Sequence, residues 1–292
     1  MTFLSLLLAL FLERFTSLFE PWRALDAMAG YTRWLAERAA RFGNMDGLLG
    51  VLLVLLPPLV VVAAVADLLD GWLLGLPWLV FAVSVLVLAF GPDLDEDLHR
   101  FVEGWAMEDE ARMERAWQAL GEGPMPDAPA ARLRGVVGGA FAEAGQRWFG
   151  VLFWFLVLGP VGAAGYRLLH ELATHPDWVG PRFHEAARRF LALLDWAPAR
   201  LAALAYGVAG SLDGVIAALR KRLWAPLGEL PELNRRLLAE SGEAAIHLER
   251  YLADELDARG VALVTELASH LLLRALAVWV VVLALMTIAN LL

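Results

Sequence analysis

The chain of 292 residues is 59% hydrophobic with a mean hydropathy of +0.58, well above soluble averages, which excludes an ordinary water-soluble globule. Its net charge of −9 gives no electrostatic reason to bind nucleic acid, so no nucleic-acid partner is expected. With no cysteine, disulfides, thiolate metal sites and cysteine nucleophiles are ruled out.

Met1 to Leu12 is apolar but lacks a basic start, and Glu13-Arg14 follows without a small-residue cleavage site. It is too short to span a bilayer unaided, so it reads as a retained segment buried against other helices or lying in the interface. Residues 13–47 follow as a polar helical segment, with Arg33, Glu37 and Arg41 at four-residue spacing on one face.

Four apolar runs come next, at about 48–69, 72–90, 149–169 and 271–289. Each approaches or exceeds the roughly 18–20 residues that cross a bilayer core as a helix. The gap Leu69-Asp70-Gly71-Trp72 allows only a tight turn, so the first two runs form a hairpin. Pro57-Pro58 removes two backbone donors and predicts a kink, and Gly159-Pro160 with Gly162 marks a second place where backbone groups are freed or helices approach closely. Trp72, Trp78, Trp148, Trp154 and Trp279 lie near the run ends and read as interfacial anchors.

Residues 91–148 form a helical loop interrupted at 121–126, and 171–270 form a second. Within the second, Leu201 to Leu219 is broken only by Asp213 and reads as a fifth span, a re-entrant segment or an interfacial helix. With four spans the basic residues divide eleven against eleven. A crossing at 201–219 moves the seven from Arg220 to Arg259, turning the tally to eighteen against four and placing the N-terminus in the cytoplasm. The fold expected is an all-α, polytopic integral membrane protein: one membrane domain over 1–292, with four transmembrane helices plus that fifth or re-entrant segment. The lipid bilayer is its first partner.

No P-loop, H-E-x-x-H or G-x-S-x-G occurs, and Lys221 is the only lysine, so no nucleotide cofactor is expected. Asp93-Leu94-Asp95-Glu96-Asp97 starts like a calcium loop, but Leu98 and Gly104 stand where glycine and a bidentate glutamate are needed. It reads as a solvated helix start with carboxylates at the positive dipole end. Glu108, Asp109 and Arg112 read as an exposed, locally paired charge group. His170 and His175 do not share a helical face, and no metal is assigned.

Leu194-Asp195-Trp196-Ala197-Pro198-Ala199-Arg200-Leu201 is the most informative stretch. Asp195 is suited to cap a following helix, with Pro198 in its first turn. Arg200 near that positive end is unfavourable alone and favourable with an anion, which makes Asp195, Trp196 and Arg200 candidate ligand residues. The alternative is an arginine snorkelling at the membrane boundary. The 93–112 acidic segment and Arg200 are expected on opposite membrane sides, hence not in one catalytic centre.

Gly159-Pro160-Val161 with Gly165-Tyr166, the 193–201 stretch and the opening Phe3-Leu4-x-x-Leu7 with Glu13-Arg14 resemble the AmpE family of bacterial inner-membrane proteins over essentially the whole chain. That resemblance implies a regulatory signalling role linked to β-lactamase induction and cell-wall recycling. It implies a recycling intermediate or a membrane or cytoplasmic protein as partner, and it brings Tyr166 forward as a site candidate. More distantly, Leu152-Phe153-Trp154 and Asp195–Arg200 are similar to the cobinamide-phosphate synthase family, which implies amide formation on a corrinoid carboxylate. Here Gly150-Val151 replaces the Ala-Pro of those synthases, and within 141–147 only Glu143 matches their acid-rich segment. Two functions follow: a non-enzymatic membrane modulator, or a membrane enzyme or transporter for an anionic amphiphile with its anion site at Asp195–Arg200.

Overall fold

The computed structural model describes residues 2–15, 30, 31, 34, 47–90, 93–175, 180–222, 230–252 and 256–289. Their elements are all helical: α1 (Thr2–Phe15), α2 (Leu48–Leu69), α3 (Leu76–Ala89), α4 (Leu94–Ala106), α5 (Glu110–Leu120), α6 (Pro129–Ala144), α7 (Val151–Thr174), α8 (Pro181–Ala209), α9 (Leu212–Arg222), α10 (Leu230–Ile246) and α11 (Ala258–Ile288). Five stretches are long and apolar enough to cross a membrane: Leu48–Leu69, the stretch Leu76–Ala106 that holds α3 and α4, Pro129–Thr174, Pro181–Ala209 and Ala258–Ile288. The protein is an all-α membrane protein. Arg33, Glu37 and Arg41 lie outside the described residues.

The chain divides into two compact units, one of residues 1–92, 150–195 and 283–292, the other of 93–149 and 196–282. In the first, α2 is uncharged from Leu48 to Ala66 and rises about 33 Å over its length, enough for a bilayer core. Leu49, Leu53, Val60, Val61 and Leu68 are exposed, a surface that only lipid makes favourable. The helix continues through Pro57-Pro58. Gly71, at φ +77°, supplies the left-handed residue of the turn into α3, and a 3-10 turn at Trp72–Gly75 brings the α3 span to about 29 Å. On α1, Ser5, Leu6 and Ala9 are buried while Leu4, Leu7 and Phe11 are exposed, and the helix packs on α3. The short N-terminal run is therefore a docked helix, as its length predicts.

α7 breaks at Gly159, whose φ of +63° next to Pro160 divides it at the point the sequence marks. α8 departs from expectation. The sequence reads Asp195 as the cap of a new helix, yet Asp195 lies in the interior of a helix running unbroken from Pro181 to Ala209. Pro198 removes the N–H that Leu194 O would accept, and Trp154 Nε1 donates to that oxygen instead at 3.3 Å. The satisfied carbonyl lets the helix continue. Residues 201–219 are correspondingly divided, because α8 ends at Ala209 and α9 begins at Leu212.

In the second unit, α4 and α5 are amphipathic, with capped starts and one buried face each. Asp93 caps α4 by accepting from Asp95 N at 2.9 Å, and Leu94, Leu98 and Phe101 form its buried stripe. Asp109 caps α5 through Arg112 N at 3.1 Å, above a stripe of Met113, Ala116, Trp117 and Leu120. α6 and α10 pack antiparallel through glycines: Gly138 faces Ala239 and Glu243, Gly242 faces the Phe141 ring, and Gly145 faces Leu238. Tyr206 donates to Phe141 O at 2.8 Å, and its ring meets Phe141 and Phe149. Phe149 in turn packs on Trp279, 5.4 Å away between ring centroids. Trp279 is thus a core residue at 8% exposure, not an interfacial anchor, whereas Trp72 is 63% exposed as an anchor should be.

A Cβ at Gly139 would overlap the Leu120 carbonyl oxygen, so Gly139→Ala must push α5 from α6. The expected loss is about 1–3 kcal/mol, the scale of core overpacking. Gly180→Ala, with nothing within 4 Å, is the control. Thermal unfolding of both variants in detergent checks this: equal midpoints would show that α5 does not sit tightly on α6.

Candidate functional site

After Ala144 the chain winds into a π-helical turn, Gly145–Gly150, before α7 begins. Such turns are rare and recur at functional sites, because the extra residue per turn turns side chains off the regular helical face. Arg147 lies in this one and is buried at 7% exposure. Its Nε donates to Glu143 Oε2 at 3.0 Å and its Nη1 to Asp97 Oδ2 at 3.1 Å. Asp97, also buried, accepts from Arg100 at 2.8 Å, and Arg100 reaches Glu96 at 2.7 Å. On the other side, Glu143 Oε1 accepts from Arg235 Nη1 at 2.7 Å. Arg235 Nη2 donates to Leu120 O at 2.7 Å and its Nε pairs with Glu122 at 2.5 Å.

The result is an alternating chain of charge, Glu96–Arg100–Asp97–Arg147–Glu143–Arg235–Glu122, that joins α4, α6 and α10 and the segment after α5. Leu120 O is one of the last carbonyls of α5, so Arg235 also sits at the negative end of that helix. Both Glu143 oxygens face guanidinium groups, an arrangement that locks helices together instead of leaving a carboxylate free as a base.

The other candidates are placed as follows. Asp195 is buried and accepts from Tyr166 Oη at 2.5 Å, which brings two of the sequence candidates together. Asp195 is the last residue of a segment of the first unit, and Trp196 is the first of a segment of the second. Arg200, 9% exposed, donates from Nη1 to Trp196 O at 2.8 Å and to Asn234 Oδ1 at 3.3 Å, and lies 4.4 Å from the Trp196 ring centroid. No ion pair with a carboxylate is among these contacts, and its Nε is buried without a hydrogen bond. Because α8 is continuous, Arg200 does not stand at a helix start, and the reasoning from free helix N–H groups falls away.

Asp109 and Arg112 make local contacts: Arg112 pairs with Glu103 at 2.7 Å and with Asp109 at 3.8 Å, while Glu108 is exposed at a φ of +55°. Glu110 pairs with Arg132 at 2.9 Å. Glu143 is the one candidate inside the charge chain. Sequence reasoning missed Asp97, Arg147 and Arg235. The four-residue spacing of Glu143 and Arg147 was the available signal. Among the described residues no group of three or more His, Asp or Glu side chains is placed to hold a metal.

Glu243 on α10 faces Arg134, whose Nε is 3.6 Å from Oε2, and burial pushes its carboxyl up to about 7. Arg134 lowers that value, while Glu240 and Glu249 raise it further.

Helices of spanning length and a buried charge chain in a helical domain define a polytopic membrane protein with an extensive polar unit. The family described as "Regulatory signalling modulator protein AmpE" matches residues 1–292, and the chain belongs to that family. It is also similar to two proteins named cobalamin biosynthesis protein CobD. That of Chromobacterium violaceum is 38% identical over 106 residues, 34% of this chain and 32% of the relative. That of Stutzerimonas stutzeri is 33% identical over 103 residues, 34% of this chain and 33% of the relative. The match spans about a third of the length of these curated relatives. No solved structure matches the chain significantly.

Arg147→Met removes the cation that Asp97 and Glu143 share and leaves each with one arginine, Arg100 and Arg235. The loss is expected to approach, and not exceed, the roughly 3–5 kcal/mol of a fully broken buried pair, seen as a drop in unfolding midpoint or in membrane level. Glu243 gives a pH signature. Its folded value near 7 lies above the ordinary 4.5, so the folded state holds the proton more tightly. Stability therefore falls as pH rises from about 4.5 to 7 and levels off above, by up to about 3 kcal/mol. Glu243→Gln should flatten this slope and raise the midpoint at about pH 8 relative to wild type. Parallel pH profiles of the two proteins would refute it.

Proposed function

We propose that this protein is an inner-membrane signalling modulator in β-lactamase induction, tied to peptidoglycan recycling, and that it acts through ligand or protein contacts instead of its own chemistry. The observation that carries the reading is coverage: the signalling family matches all 292 residues, while the likeness to cobalamin biosynthesis proteins stops at a third. Within this reading Asp195, Trp196 and Arg200 are contact residues for an anionic ligand or partner group. Arg200 supports this, as a buried cation whose contacts are a carbonyl, an amide and a ring.

The protein crosses the membrane five times with its N-terminus in the cytoplasm. Charge pairing supports this arrangement. Arg235 is within 2.7 Å of Glu143, so residues on either side of α7 and α8 share one membrane face. An even number of crossings must separate them, and α7 and α8 supply two. With the crossing in α8, the seven basic residues from Arg220 to Arg259 join the first eleven, and with Arg200 inside the crossing these eighteen face Arg182, Arg188 and Arg189 on the other side.

Two experiments test the proposal. In a null strain, Arg200→Ala and Asp195→Ala at normal membrane levels should abolish inducible β-lactamase; a full response from both would remove the site from the signalling role. Since the chain has no native cysteine, Arg115→Cys and Glu232→Cys report topology cleanly. Both should react with an impermeant thiol reagent only after the inner face is opened. Labelling of one and not the other in intact cells would overturn the five-span arrangement.

A further inference from the structure

A cavity of about 220 Å³ opens in the second unit among α5, α6 and α10. Its glycine-lined side belongs to α6. There a Cβ at Gly135 would run into the Trp117 ring, and one at Gly138 would come 2.7 Å from Glu243 Oε1. Three guanidinium groups, from Arg134, Arg235 and Arg236, line this one space. Like charges gathered at a cavity repel unless something negative stands between them.

What stands there is weakly held. Arg235 Nε is met by Glu122, whose side chain is 63% exposed, and Arg134 is paired with Glu249, 80% exposed. Exposed pairs of this kind are worth roughly 0–1 kcal/mol, so both carboxylates are easily displaced. Arg236 is exposed and has no hydrogen bond or ion pair among the described residues. The inner contacts of Arg235, to Glu143 and Leu120 O, hold its guanidinium in place whatever happens at the mouth. Glu243, the remaining acid of the cavity, is pushed up to about 7 and so accepts a proton readily as negative charge enters.

We propose that this cavity is a binding site for an oxyanion group, a phosphate or a carboxylate, with Arg134, Arg235 and Arg236 gripping it and Glu122 and Glu249 swinging aside. Planar guanidinium forks match such groups bidentately, which point charges do not. At about 220 Å³ the space is smaller than the roughly 300–1,000 Å³ of a site for a whole drug-sized molecule, so it takes the charged head of a ligand. The site rests on the cavity and its arginines, not on the signalling role, and binding to purified protein tests it separately.

The full chain in detergent is titrated with inorganic phosphate at constant ionic strength, and thermal unfolding is followed by tryptophan fluorescence. Binding to the folded state alone raises the midpoint by mass action. Wild type should show a saturable rise, and Arg236→Ala should weaken the apparent affinity by roughly tenfold or more while keeping the phosphate-free midpoint. Glu122→Gln should shift saturation to lower phosphate. A second arm compares phosphate-free nanodiscs of phosphatidylglycerol and phosphatidylcholine. Stabilisation by the anionic lipid that Arg236→Ala removes assigns the oxyanion to a headgroup; stabilisation by phosphate alone assigns it to a soluble ligand. No rise in either arm, or an equal rise in Arg236→Ala, overturns the proposal.

Discussion

A guanidinium taken out of water needs partners that offset its lost hydration, and Arg147 is met by two carboxylates that arrive from different directions. Glu143 comes from the preceding turn of the same helix, and Asp97 from α4. Apolar stripes on α4, α5 and α6 require only that these helices bury their hydrophobic faces, a condition met by several rotations and slides. The charge pairs admit far fewer. With Asp97 fixed on Arg147, α4 has one register against α6, and with Arg235 sharing Glu143, α10 has one register as well. The net energy of such pairs over an apolar alternative is small, so their weight falls on which packing is adopted more than on how tightly.

The glycines of α6 belong to the same constraint. Arg235 reaches both Glu143 and Leu120 O only because α10 and the end of α5 come close to the α6 backbone. Gly138, Gly139 and Gly145 carry no Cβ at those approaches. A row of small residues, which in a membrane helix reads as an interface for close packing, here brings charged side chains within bonding reach of one another. That closeness also gathers the arginines that line the cavity.

The membrane architecture was legible because length and apolarity are properties of contiguous sequence. α2 has the limits its composition marks, the hairpin turn falls at Gly71, and the Gly159-Pro160 break is where two helix-disfavouring residues adjoin. The helix start at Asp93 was legible for the same local reason. What escaped was decided by partners far away in the chain. Asp97 sits in a run of acids that reads as solvated, and only Arg147, fifty residues on, reveals that it is buried. Asp-x-x-Pro reads equally as a helix start and as a helix interior whose lost hydrogen bond is replaced from outside. Trp154, forty residues earlier than Leu194, decides between them. Trp279 has the same ambiguity, since an aromatic near the end of an apolar run looks the same whether it meets headgroups or Phe149.

This bears on what the likeness to cobalamin biosynthesis proteins carries. The residues on which the resemblance was read from the sequence, Leu152-Phe153-Trp154 and the Asp195–Arg200 stretch, include several that make internal contacts in this chain. Trp154 satisfies the carbonyl that Pro198 leaves open, Asp195 receives the Tyr166 hydroxyl, and Arg200 is held by the Trp196 carbonyl and ring. A backbone oxygen stranded inside a spanning helix costs several kcal/mol, so the indole N–H of Trp154 offsets what Pro198 removes, whatever the protein does. Shared residues of this kind transmit a helix pairing. Glu143, the acid matched to the synthases' segment in the sequence, has both oxygens committed to arginines. The likeness to the cobalamin biosynthesis proteins covers a third of the chain, and the family that spans all of it is the AmpE family.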